Sequence, residues 1–331
     1  MDVEAFAAVH EGEWAELEAL LRHRRLDGAQ ADRLVLLYQR TATHLSQVRS
    51  AAPDPALLGR LSSLVARARS RLAGAREPVW RDLARFAVVS FPAALWRIRW
   101  WTAAVAAVFC AVATATGAWV ATSPDVLAAM GTPEDLRAYV EEDFAGYYSE
   151  NPAGSFAARV WTNNAWIAAQ CVALGITGVW PAWVVLQNAF GVGSAAGLMV
   201  SAGRGDVFFG LILPHGLLEL TAVFVAAAAG LKLFWSWVDP GPRPRARAVA
   251  EEGRALITVA MGLVVVLAVS GVVEGFVTPS GLPTWARITI GALVLAAFLT
   301  YGGVLGRRAV AAGETGDLRA EQAGDVQPVA G

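Results

Sequence analysis

From about Thr102 onward the chain reads as long apolar runs separated by short polar interruptions. The runs cover about 102–121, 161–179, 183–201, 207–235, 255–274 and 288–306. Each approaches the roughly 20 residues that an α-helix needs to cross a bilayer. Before Thr102 the pattern changes. Phe6, Val9, Trp14, Leu17 and Leu20 fall on one face of a helix. Ala31, Leu34, Val35, Tyr38, Leu45 and Val48 form a second stripe at the same 3.6-residue period. The segment AAPDPALL then breaks the pattern. Asp54 is placed to cap a third helix, with Pro55 at its first position, where a missing N–H costs nothing. Leu57, Leu61, Leu64, Ala68 and Leu72 line that helix, and its arginines read as solvated charges. Residues 77–101 combine an apolar face with a border of Trp and Arg, which suits an amphipathic elbow helix at the membrane interface.

These patterns predict an all-α polytopic membrane protein with about six transmembrane helices. The expected divisions are a cytoplasmic helical domain over 1–76, the elbow over 77–101, and a membrane domain over 102–308. The membrane domain includes an outside loop at 123–160 and a cytoplasmic linker at 238–254, read as extended because of its Pro–Arg alternation. Residues 309–331 are expected to be a disordered tail.

Composition agrees with the pattern. Of 331 residues, 56% are hydrophobic and 17% charged, against about 25% charged in soluble domains. A net charge of −1 gives no reason to expect nucleic acid. Cys110 and Cys171 both lie in apolar runs and are too few for a disulfide framework or a metal cluster. The first apolar run starts too late for a cleaved secretory peptide, so none is expected. Charge distribution sets orientation. Arg97 and Arg99 precede the first span, Arg243, Arg245, Arg247 and Arg254 follow the fourth, and Arg307 and Arg308 follow the sixth. The loop after the first span is acidic. The positive-inside rule then places both termini in the cytoplasm of a multi-pass plasma-membrane protein. In the outside loop, Thr132 is a candidate cap for a helix led by Pro133. Leu136, Tyr139, Val140, Phe144 and Tyr147 are its apolar face, suited to the outer lipid boundary.

The polar residues inside the spans carry the candidate chemistry. Asn163 and Asn164 open the second span. Asn188 lies in the third, followed by Gly193 and Gly197 in a small-xxx-small pattern expected to pack on the fourth. The fourth contains LPHGLLELT. His215 and Glu219 are one turn apart on one face, and Pro214 and Gly216 mark an expected helix break beside them. A Glu219–Asn188 or Glu219–His215 hydrogen bond is the simplest way to satisfy these groups. Three readings stay open: a polar clamp that fixes helix register, a proton or ion pathway, and a metal or hydrolase centre. The last is disfavoured because zinc takes about three protein ligands and only two are named, so no catalytic residue, metal or cofactor is assigned. Glu274, near the outer end of the fifth span, reads as interfacial.

These residues also carry a likeness. Trp161–Asn164, the Asn188 to Gly193 stretch, FFGLILPHGLLELTAVFVAAAAGLKL and the N-terminal FAAVHEGEWAELEALL through LVLLYQRTATHL together resemble the stage II sporulation protein M family. Ala189 stands where the family often has Gly. The resemblance implies a non-enzymatic membrane scaffold for a cell-envelope, peptidoglycan-associated complex. It also implies membrane lipids and envelope proteins as partners, including a MoxR-type ATPase or an RDD-type membrane protein; a homo-oligomer is compatible. The alternatives are a proton-coupled permease centred on His215 and Glu219 and, less favoured, an intramembrane hydrolase.

Overall fold

The computed structural model describes residues 3–23, 26–51, 55–72, 79–144 and 153–317. The Asp54 cap, Tyr147 and the tail beyond 317 lie outside the described residues. Two compact units divide the chain, Met1–Asp82 and Leu83–Gly331, and no strand occurs among the described residues.

The first unit contains α1 (Val3–Arg22), α2 (Gly28–Ala51) and α3 (Pro55–Leu72). Trp14, Leu17, Leu34, Leu37, Val48, Leu61, Leu64 and Ala68 form its buried core. The stripes named from periodicity supply most of it. Val9 and Val35 are exposed instead, and Leu37 takes an inward position. Four arginines of α2 and α3 pair with acids of α1. Glu16 meets Arg33 at 2.6 Å, Glu13 meets Arg40 at 2.6 Å, Glu11 meets Arg60 at 2.8 Å, and Glu18 meets Arg67 at 3.1 Å. α1 thus presents a row of acids to both neighbours. Hydrogen bonding to Arg60 and Arg33 holds Glu11 and Glu16 below the usual carboxylate range.

α4 (Val79–Arg85) crosses the boundary between the units, and the second unit holds α5 (Phe91–Thr122), α6 (Pro124–Met130), α7 (Pro133–Ala138), α8 (Ala153–Ala173), α9 (Val179–Ser201), α10 (Gly205–Val238), α11 (Arg245–Val272) and α12 (Thr284–Ala311). Among the described residues, five helices are long and apolar enough to cross a membrane: Trp80–Thr122, α9, α10, Arg245–Val277 and α12. The expected second span falls on α8, which carries Asn163, Asn164 and Gln170 and so falls below that level of apolarity. α10 is the central element, contacting α5, α8, α9, α11 and α12. Its run Ala222–Gly230 is buried throughout, because small side chains let the surrounding helices approach from every side.

Several expectations give way to tertiary contacts. The expected elbow is continuous with the first span, helical from Trp80 to Thr122 through a π-helical turn at Phe86–Ser90. Phe91, Ala93, Ala94, Leu95 and Ile98 are buried in the core, whereas Trp80, Leu83 and Val88 earlier in the elbow are exposed. The Gly193–Gly197 pair packs on α5, not on α10. A Cβ at Gly193 would lie 2.5 Å from the Ala113 carbonyl oxygen, and one at Gly197 would lie 2.5 Å from that of Gly117. The linker is helical from Arg245, with Pro244 before it and Arg247–Glu251 bridging one turn at 2.8 Å. α7, the helix expected in the loop after the first span, has its capping box, with Thr132 accepting from the Asp135 N–H. Its apolar face packs on the bundle itself, where Phe144 stacks on Phe208 at 5.6 Å.

One end of the bundle is closed by ions. Glu252, 5% exposed, accepts from Arg97 at 2.6 Å and lies 3.7 Å from Lys232 and 3.9 Å from Arg243. Residues 312–317, assigned by sequence to the disordered tail, belong to this network. Asp317 pairs with Arg254 through two bonds of 2.7 Å, and Glu314 pairs with Arg85 at 2.6 Å.

Candidate functional site

α10 positions the two groups that the sequence singles out. His215 lies about 15 Å along the helix from its first residue, at 1.5 Å per residue, and Glu219 follows one turn later on the same face. The helix does not break at Pro214 and Gly216; it is continuous from Gly205 to Val238. Proline deprives one carbonyl of its N–H partner, but the neighbours hold the segment. α12 brings Gly291 so close that a Cβ there would sit 2.2 Å from the Pro214 carbonyl oxygen. The Ser270 hydroxyl donates to the His215 carbonyl at 3.1 Å.

His215 is 4% exposed. Its Nδ1 meets the Thr278 hydroxyl at 3.1 Å, and its Nε2 faces Glu274 Oε1 at 3.6 Å. Asn188 does not join this group. Its amide donates to the Val184 carbonyl of its own helix at 2.8 Å. Asn164 is buried on α8 and Asn163 is exposed. The helix that carries Asn164, α8, packs against α11 and the turn that follows it.

Glu274 is the residue that sequence reasoning set aside as interfacial. It is 2% exposed, and its Oε2 is buried with no hydrogen-bond partner among the described residues. It lies in a π-helical turn, Val273–Val277, at the end of α11. Glu274 continues the buried stripe of Leu263, Leu267 and Ser270 at helical spacing, and π-helical turns recur at functional sites. Thr278 follows with its N–H bonded to the Val273 carbonyl at 3.1 Å. The Arg287 guanidinium donates to the Thr278 carbonyl and to the Thr284 hydroxyl, fixing the residue that orients His215.

His215, Glu219 and Glu274 thus present one nitrogen and two carboxylate oxygens, all within 4.8 Å of one another. Each ionisable group at membrane depth costs roughly 2.5–3.5 kcal/mol on insertion scales. Gathering three of them concentrates that cost at one point of the bundle. Such an arrangement can share a proton, hold a cation or pin helices together.

A second set of the same donor types lies in the first unit, where His10, Glu13 and His44 are also within 4.8 Å of one another. Here His44 Nδ1 accepts from the Trp14 indole at 3.2 Å, and the His10 and His44 rings lie 4.0 Å apart. Burial, and then the neighbouring His10, push the His44 pKa below that of a free imidazole.

Comparison with known proteins gives two matches. The family described as Stage II sporulation protein M matches residues 106–279, more than half of the chain. A domain of unknown function (DUF8413) matches residues 4–74. No curated protein matches, and no solved structure does. His215, Glu219, Glu274 and Thr278 all lie inside the first matched stretch.

Proposed function

Because the chain belongs to the stage II sporulation protein M family, we propose that it is a non-enzymatic membrane scaffold of a cell-envelope, peptidoglycan-associated assembly. The observation that carries this reading is the pairing of that membrane domain with a separate helical unit that has its own core and its own ion pairs. A unit stabilised internally can offer its outer surface to a partner. A MoxR-type ATPase or an RDD-type membrane protein is the partner class suggested by family analogy.

The proposed topology keeps both termini in the cytoplasm, with α8 as the sixth crossing. Its 21 residues would span about 31 Å, close to the hydrocarbon thickness of a bilayer. Arginines at the start of α11 and the end of α12 support the same orientation. Purification of the full chain from native membranes in mild detergent tests the scaffold. Envelope proteins should co-purify, and loss of residues 1–76 should release the cytoplasmic ones. Recovery of the chain alone, at native expression, refutes the reading.

The gathering of His215, Glu219 and Glu274 favours a second reading, a proton-coupled permease. Reconstituted liposomes test it. Ion or pH-driven flux that disappears in Glu219→Gln supports it, and the absence of flux across a substrate panel removes it.

A further inference from the structure

The geometry points to a divalent metal site in the membrane domain, with Zn²⁺ held by His215 Nε2 and the carboxylates of Glu219 and Glu274. This inference does not depend on the scaffold reading. It rests on four features of the cluster.

The first is spacing. His215 Nε2 and Glu274 Oε1 are 3.6 Å apart, too far for a hydrogen bond. Two ligands at about 2.1 Å on a tetrahedral ion are separated by about 3.4 Å, so the observed gap is close to that edge. The second is the free acceptor. Glu274 is 2% exposed, and its Oε2 has no hydrogen-bond partner among the described residues. A buried carboxylate oxygen without a donor is what a cation would satisfy. The third is the support around the histidine. Thr278, fully buried, holds Nδ1 at 3.1 Å. With Nδ1–H donating to that hydroxyl, the Nε2 lone pair points to the acids. Metal-bound histidines use this outer contact to fix ring and tautomer. The Arg287 bond to the Thr278 carbonyl extends the support by one layer. The fourth is charge. Two carboxylates and a divalent ion sum to zero, which suits an interior poor in water.

One imidazole nitrogen and two carboxylate oxygens make a donor set that suits Zn²⁺. Three protein ligands leave a fourth position open to water. Glu219 is half-buried, whereas His215 and Glu274 are buried.

The test uses the full-length protein in detergent with the His10→Ala substitution, which removes a ligand from the other His–Glu–His cluster. The chain is stripped with chelator, titrated with Zn²⁺, desalted and assayed for metal by mass spectrometry. About one Zn²⁺ per chain should be retained, and its addition should raise the thermal midpoint. Glu274→Gln and Glu219→Gln should each lower the affinity at least about tenfold, a loss that even outer contacts of metal sites reach, and should abolish the shift in midpoint. Should Glu274→Gln not yield monodisperse protein, the half-buried Glu219→Gln carries the comparison. Absence of retained Zn²⁺ in the His10→Ala chain overturns the proposal. Retention unchanged by Glu219→Gln overturns it equally.

Discussion

The contact between α5 and α9 makes a quantitative prediction. At Gly193 an added Cβ would lie 2.5 Å from the Ala113 carbonyl oxygen and 2.9 Å from the Thr116 Cβ. At Gly197 it would lie 2.5 Å from the Gly117 carbonyl oxygen and 2.7 Å from the Val120 Cβ. Ordinary carbon–oxygen contacts between helices sit near 3.3–3.6 Å, so either alanine forces the backbones apart by about 1 Å. Forced shifts of this kind cost about 1–3 kcal/mol. Alanine also gains helix propensity over glycine, about 1 kcal/mol, which would mask part of the clash. Gly191 supplies the correction, because a Cβ there meets nothing within 4 Å on the same helix. The difference between Gly197→Ala and Gly191→Ala therefore reads the clash alone, about 1–3 kcal/mol, and Gly193→Ala should match it. The double variant should lose less than the sum, since one separation relieves both contacts. Unfolding in detergent by added dodecyl sulfate, followed by tryptophan fluorescence, measures the series. If all three single variants unfold at the same midpoint, the packing of α9 on α5 is wrong.

Three further outcomes follow from other parts of the chain. Burial lowers the His44 pKa, so the unfolded chain takes up a proton, near pH 6.5, that the folded unit resists. Stability of α1–α3 is then complete above about pH 6.5 and falls on acidification, by up to about 1.4 kcal/mol per pH unit. Hydrogen exchange in these helices, corrected for intrinsic rates, should show that loss, and a pH-independent His44→Gln baseline or a flat wild-type profile decides the matter. Glu252→Gln leaves Arg97 and Lys232 without their carboxylate. Those cations are partly exposed, so the cost is about 3 kcal/mol, the low end for a broken buried pair. Arg247→Gln, which breaks only the more exposed Arg247–Glu251 pair, should cost at most about 1 kcal/mol, and equal thermal midpoints would contradict the contrast. Thr132→Ala removes the cap of α7 and should raise local exchange there by about 1 kcal/mol, with no effect on the unfolding midpoint of the bundle.

Length and hydropathy made the membrane helices legible, and the motif around Pro214 located the central one. What sequence could not supply was the partner of each feature. Gly193 and Gly197 say that some backbone comes close, and only the packing assigns it to α5. Arg97 reads as a membrane-border charge, yet it reaches Glu252 far along the chain at 2.6 Å. The Pro–Arg linker reads as extended, but Arg247 meets Glu251 one turn away, and Arg243 reaches the same acid from before the helix. Glu274 was lost for a different reason. It follows Leu263, Leu267 and Ser270 at helical spacing, all of them buried. Its place near the end of the span reads as a membrane border, and only the packing sets it 3.6 Å from His215.

The account turns on His215 and Glu274 sharing one interior site across α10 and the end of α11. A double-mutant cycle with His215→Ala and Glu274→Gln, read as unfolding free energy in detergent after chelation, tests this contact without any bound metal. The account predicts a coupling of at least about 1 kcal/mol, within the range for residues in contact. Single effects that add to within about 0.5 kcal/mol, the behaviour of distant residues, would contradict it.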